Sequence, residues 1–329
     1  MNYKKYKIAV IGGDARQLIV GAELVAAGYE ASLYGFGGEA HGRLPVVDSR
    51  CCSHPSVGVR EILSEAVGGD RLDCGEIAAT VTEALRGSFA VILPLPSAAD
   101  GNTVSMPLGG VPLKFTTLTE IMSQNGVKYV CGGKLPGDFV ALCNERGIKT
   151  FDYYESDAFS IANAIPSAEG AIEIAMRELN VTLNSSSALV IGYGRIGKVL
   201  SRLLTRLGVT VTASARKPSD IAWIRADGHI PAETGKLCEV LSGTRFDVIY
   251  NTVPHTVLGE GELLAIPRGT LIVDLASKPG GVDIPTADRL KHNVIWALSL
   301  PGKVAPITSG KIIADEVLGQ FRAWEAEKC

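Results

Sequence analysis

The sequence predicts an α/β protein of two doubly wound parallel-sheet domains, joined by long helices, with a cleft between them. Three observations lead there. The chain has 329 residues, about two domains' worth at roughly 150 residues each. It is 46% hydrophobic and 20% charged, which supplies a core for both. It also repeats itself at an offset of 180 residues. Ile8-Ala-Val-Ile-Gly-Gly-Asp-Ala-Arg-Gln17 leads through an apolar helix pattern to Gly28-Tyr-Glu-Ala-Ser-Leu-Tyr34. Ala188-Leu-Val-Ile-Gly-Tyr-Gly-Arg-Ile-Gly197 leads the same way to Gly208-Val-Thr-Val-Thr-Ala-Ser214. Each copy reads strand, glycine turn, helix, glycine stop, strand. That is a βαβ unit, and a parallel sheet with right-handed crossovers follows.

Composition narrows the function classes. Lys and Arg total 32 and Asp and Glu 35, a formal charge of −3. Such balance argues against nucleic acid or an anionic membrane as the main partner. No apolar run approaches the ~18 residues of a membrane span. Met1 to Lys7 runs straight into a strand pattern, with no signal-peptide core. The cysteines at 51, 52, 74, 131, 143, 238 and 329 form neither a C-x-x-C pair nor a disulfide framework. Reduced thiols in a cytoplasmic enzyme are therefore expected.

The two copies differ where phosphate chemistry is decided. The later one carries a full G-x-G-x-x-G over Gly192, Tyr193, Gly194, Arg195, Ile196 and Gly197, so its domain is expected to be Rossmann-like and to hold a dinucleotide. Gly192 permits the tight turn, Gly194 lets backbone approach a pyrophosphate, and Gly197 lets helix pack on strand. The earlier copy puts Asp14 in the place of Gly194 and Gln17 in that of Gly197. A carboxylate there would repel a diphosphate. One dinucleotide site is expected, in the later half, beside a Rossmann-like twin that does something else.

NAD binders place an Asp or Glu at the end of the second strand for the ribose hydroxyls. Here that position reads Ser214-Ala-Arg216-Lys217, without a carboxylate. Ser214, Arg216 and Lys217 would suit a 2′-phosphate, so NADP is expected, with NAD the alternative. Two further strand patterns end in Asn251, Thr252, Val253 and Pro254 and in Asp274, Ala276 and Ser277. Ligands of open α/β sheets sit beyond strand C-termini, which puts these residues near a nicotinamide. For Asn251 and Asp274, turn formation is the competing reading. A last strand is expected at Val294–Leu300, a turn-rich connection over Pro301–Pro306, and a terminal helix from Thr308.

In the first half, strands are expected at Ile8–Ile11, Ala31–Tyr34, Phe89–Leu93, Tyr129–Cys131 and Lys149–Asp152. Helices are expected near Leu18–Ala27, Glu76–Leu85, Leu118–Gln124 and Pro136–Arg146. Around His41, Cys51, Cys52 and His54 no metal-ligand spacing occurs, and no metal is expected. Ser167 can cap a helix begun after Pro166, with Ile172, Ala175, Met176 and Leu179 on one face. The domain plan is thus residues 1–155 for substrate, 156–181 as an interdomain helix and 182–306 for NAD(P), with 307–329 packing back on the first domain.

Taken together, Gly12–Gln17, Ala164–Ala171, Gly192–Gly197 and Leu300–Pro306 resemble the dipicolinate synthase A chain family over essentially the whole chain. The two-domain layout is also similar to alanine dehydrogenase, transhydrogenase and 2-hydroxyacid dehydrogenases. The resemblance implies oxidation of dihydrodipicolinate, or its hydrated tetrahydro precursor, to pyridine-2,6-dicarboxylate during sporulation. It implies the mother-cell cytoplasm of an endospore former. It also implies a partner, a flavoprotein-like B subunit of dipicolinate synthase, with homo-oligomerisation expected besides.

A dianionic substrate needs donors. Arg16 at the first helix start and the turn at Ser97 are candidates on one side, Lys278 and Lys303 on the other. His255 and Asp14 are the candidate general bases. Two other readings stay open: another NADP-dependent dehydrogenase of the same architecture, and a non-catalytic protein that binds nucleotide for a catalytic partner.

Overall fold

The structure is a computed structural model and describes residues 6–36 and 76–326. The chain divides into two compact units, residues 1–160 with 305–329, and residues 161–304.

The first unit holds strands β1 (Lys7–Ile11), β2 (Glu30–Tyr34), β3 (Glu76–Ile77), β4 (Ser88–Ile92), β5 (Tyr129–Gly132) and β6 (Lys149–Asp152). Its described helices are α1 (Ala15–Ala26), α2 (Val81–Leu85), α3 (Phe115–Gln124) and α4 (Gly137–Glu145), followed by the start of α5 (Asp157–Glu178). The sheet order is β3-β2-β1-β4-β5-β6, and every pairing is parallel. Ile8, Ala9, Val10 and Ile11 are all fully buried, as a strand covered on both faces requires.

The second unit continues α5 and adds β7 (Ser187–Ile191), α6 (Arg195–Arg206), β8 (Thr210–Ala215), α7 (Pro218–Ala226) and β9 (Ile230–Glu233). Then come α8 (Leu237–Gly243), β10 (Val248–Asn251), α9 (Glu260–Ala265), β11 (Leu271–Asp274), α10 (Ile284–Leu290), β12 (Asn293–Trp296) and α11 (Leu300–Val304). Its sheet runs β12-β11-β10-β7-β8-β9. Counted within each unit, both sheets have the order 3-2-1-4-5-6 of a dinucleotide-binding fold. The order reverses between β1 and β4 in one and between β7 and β10 in the other, so each has one ligand-facing crevice.

The terminal helix α12 (Pro306–Ala326) belongs to the first unit. Ile313, Ala314, Val317, Phe321 and Trp324 enter the core that includes α1 and β1. Trp324 stacks on Tyr129 with ring centroids 3.9 Å apart. Gly310 lets α12 approach closely, because a methyl group there would lie 2.6 Å from Ile19 Cβ.

Three local expectations need correction. Glu76–Leu85 is not one helix. Glu76–Ile77 pairs with Ser32–Leu33 of β2, and α2 starts only where the Thr80 hydroxyl accepts from Glu83 N at 3.1 Å. Ser167 caps nothing, since α5 runs through Pro166. Its hydroxyl donates instead to the Asn163 carbonyl one turn back. The last strand stops at Trp296, and the stretch after it coils into α11. Proline is tolerated in a first helical turn, and Gly170 of α5 gives Leu300 and Val304 a close seat, a methyl there lying 3.2 Å from each.

No helix among the described residues is long and apolar enough to cross a membrane. No cluster of three or more His, Cys, Asp or Glu side chains that could hold a metal occurs among them. His41, Cys51, Cys52 and His54 lie outside the described residues.

Candidate functional site

In the second unit the turn after β7 is open. Gly192 has φ +96°, and a side chain there would collide with Thr252 Oγ1. A side chain at Gly197 would strike the Gly192 carbonyl oxygen. Gly194 differs from both, having nothing within 4 Å of where a Cβ would stand. It is the N-cap of α6, and no side chain caps that end. Exposed N–H groups at a helix start, with the helix dipole behind them, suit a phosphate. The turn is held from below by Gly192 N donating to Ser214 O at 3.0 Å. Tyr193 is buried, Ile196 half-buried, and Arg195 exposed.

The twin turn in the first unit is closed, by its own chain. Gly13 N donates to the Ser105 carbonyl at 2.8 Å. Met106 lies over Gly12, where a methyl would come within 2.6 Å of Met106 Cγ and of Ser105 O. Asp14 caps α1, Oδ1 accepting from Arg16 N at 3.0 Å. The Arg16 side chain folds back onto the same carboxylate, Nε to Oδ1 and Nη2 to Oδ2, each at 2.8 Å. Nη2 also donates to the Leu95 carbonyl at 2.5 Å. Gln17 fills the place of the third glycine and donates to Leu93 O at 3.2 Å. A pyrophosphate would meet a carbonyl, a thioether and a carboxylate here.

Arg16 is only 4% exposed. Burial opposes its charge, but the Asp14 carboxylate overcomes that and holds the guanidinium above its ordinary pKa. Among the described residues, none accepts from its Nη1. Asp14, the candidate base, already accepts from three N–H groups. Ser97 is fully buried and donates its hydroxyl to Lys134 O at 2.9 Å. It braces two loops at the sheet edge and has no hydroxyl proton to offer an anion. Lys134, which no sequence motif singles out, is exposed beyond β5 with Nζ 4.6 Å from the Tyr154 ring centre.

At the end of β8, Arg216 and Lys217 are exposed. Ser214 is fully buried and accepts from Thr234 Oγ1 at 3.3 Å. Asn251 and Asp274 are both buried and bonded to each other, Nδ2 to Oδ1 at 2.8 Å. Asn251 also brackets Val253, accepting from its N and donating to its O, each at 3.0 Å. Asp274 accepts from Ala276 N at 3.0 Å and Gly281 N at 2.8 Å. Turn formation therefore describes both side chains, which fix the two loops at the crevice edge. Thr252 donates to Ile191 O at 2.9 Å and fills the space under Gly192. Pro254, His255, Ser277 and Lys278 are exposed, Ala276 is buried, and Lys303 is half-buried on α11.

The plug over the first turn escaped sequence reasoning because it comes from a segment far along the chain. The signal was indirect: a helix start with Asp14 and Arg16 two positions apart can satisfy itself.

No family model matches the chain. It is 29% identical over 326 residues to the A subunit of dipicolinate synthase from Bacillus subtilis (strain 168), covering 98% of both. The crystal structure of the dipicolinate synthase A subunit from Bacillus halodurans superposes with a TM-score of 0.78 at 26% identity, covering 96% of this chain and 97% of that one. Transhydrogenase from Sinorhizobium meliloti shares the fold, at a TM-score of 0.62 and 12% identity over 96% of this chain and 94% of that one. From first strand to last helix, the chain is similar to dipicolinate synthase A chains.

Proposed function

We propose that the chain is the nicotinamide-dependent subunit of a dipicolinate synthase, oxidising dihydrodipicolinate, or its hydrated tetrahydro precursor, to pyridine-2,6-dicarboxylate. The observation that carries the reading is the asymmetry of the twin turns, one open and uncapped, the other plugged. The relative matched along the whole chain supplies the substrate class.

In this reading the first-turn N–H groups of α6 receive the pyrophosphate, and Arg216 and Lys217 receive the 2′-phosphate of NADP. When bound, the coenzyme supplies a hydride acceptor. The dihydropyridine gives up one hydride and one proton, and aromatisation drives the loss. Arg16 is held rigid by Asp14 and Leu95, and its Nη1 offers two N–H donors to a substrate carboxylate. The Asp14 oxygens are engaged by three N–H groups, so in this reading His255 is the candidate base. The hydrated precursor would lose water as well.

The relative's name makes it one subunit of its enzyme, so a B subunit is proposed here to be the partner, in a mother-cell cytoplasm. The test is incubation with NADP⁺ and freshly made dihydrodipicolinate, with and without that partner, following NADPH and the pyridine absorbance. Turnover that requires this chain is expected. Oxidation of alanine with none of the dihydropyridine, or full-rate synthesis by the partner alone, would overturn the proposal. Arg216→Asp is expected to weaken NADP⁺ about tenfold or more while NAD⁺ changes little. Titrations showing equal losses would reject the phosphate clamp.

A further inference from the structure

The geometry points to Asp227 as a positioning residue for the coenzyme: through Tyr193 and Arg202 it fixes the phosphate turn and helix α6 in one arrangement. The inference rests on the reading that the Gly192–Gly197 turn binds a nicotinamide dinucleotide.

Tyr193 is the second residue of the turn, yet its ring points away from solvent. It is 4% exposed and packs with Ala213, Ala215 and Ile224. Its hydroxyl donates to Asp227 Oδ2 at 2.5 Å. Asp227 is the residue that ends α7. The same carboxylate accepts from Arg202 Nη2 of α6, at 3.2 Å for Oδ1 and 3.0 Å for Oδ2. One side chain therefore ties three pieces: the turn itself, the helix whose N-terminus faces the phosphates, and the helix that Lys217 begins.

The surroundings fit that role. Lys198, in the first turn of α6, has Nζ 5.7 Å from the Tyr193 ring centre. His229 meets the ring edge-on at 6.2 Å and shares a hydrogen bond with Thr205 of α6 at 3.2 Å. A turn built on glycines has many conformations open to it. A buried ring with a bonded hydroxyl selects one. Asp227 is assigned no phosphate contact, so it acts on the coenzyme only through the turn.

The test compares Tyr193→Phe, Asp227→Asn and the parent. Dissociation constants for NADP⁺ and NAD⁺ are measured by fluorescence titration, and thermal midpoints by calorimetry. Both variants are expected to bind both coenzymes about three- to tenfold more weakly, with the NADP⁺ to NAD⁺ ratio unchanged, because the pyrophosphate is common to both. The double variant is expected to lose no more than Asp227→Asn alone. Tyr193→Phe keeps the buried ring and serves as the readout if Asp227→Asn does not fold. Affinities within twofold of the parent, with only the thermal midpoint lowered, would show a merely structural pair and overturn the inference. A parent that binds neither coenzyme would overturn the reading of the turn, and this inference with it.

Discussion

Gly194→Asp is expected to weaken NADP⁺ binding about 100-fold while leaving the thermal midpoint unchanged or slightly raised. The variant copies into the second unit what the first unit already has at Asp14. Space permits it, because nothing lies within 4 Å of the missing Cβ and the backbone there is extended. Aspartate is also a good N-cap, a few tenths of a kcal/mol better than glycine. The binding penalty is electrostatic. A carboxylate beside a pyrophosphate costs about 4 kcal/mol per charge pair at 4 Å and an effective dielectric of 20. Solvent screening reduces that, and a remainder of about 2.7 kcal/mol is the 100-fold loss. Titration and calorimetry on one sample give both numbers. A variant that binds like its parent would mean that the pyrophosphate lies elsewhere.

Asp14→Ala is expected to destabilise the first unit by about 3 kcal/mol, because it leaves the buried Arg16 guanidinium without its counter-charge. Asp14 itself is 30% exposed and Arg16 only 5% on their side chains, so the loss falls on the arginine. For a unit of this size the midpoint should drop by roughly 10 °C. The double change Asp14→Ala with Arg16→Met is expected to recover much of that loss, since an apolar side chain can replace a buried ion pair. Coenzyme affinity should not change in either variant, as the open turn is in the other unit. If the single and double variants melt together, the pair is not what holds this helix start.

The two parallel sheets were legible in local patterns: apolar strands such as Ile8–Ile11, glycine turns, and helices between them; their strand order came from the structure. The glycine spacing at Gly192 and Gly197 carried its geometric reasons with it, since a side chain at either would collide with its surroundings, whereas Gly194 stands in open space. What stayed hidden depends on contacts distant in sequence. Ser105 and Met106 cover Gly12 and Gly13 from a loop after β4. Ser214 looked like a surface hydroxyl beside two cations, but strand alternation turns it inward to Thr234. Asn251 and Asp274 end buried strands, and no local pattern showed that they bond each other. Pro166 reads as a helix breaker in isolation, and the surrounding helix absorbs it.

Crystals soaked in NADP⁺ test most directly the proposal that only the later copy of the repeat grips a dinucleotide. The pyrophosphate should lie within hydrogen-bond distance of the N–H groups that begin α6, next to Gly194, with Ser105 and Met106 still seated over the first unit's turn. Coenzyme on the Gly12–Gln17 turn with that loop displaced, or no coenzyme on either turn at saturating concentration, would contradict it.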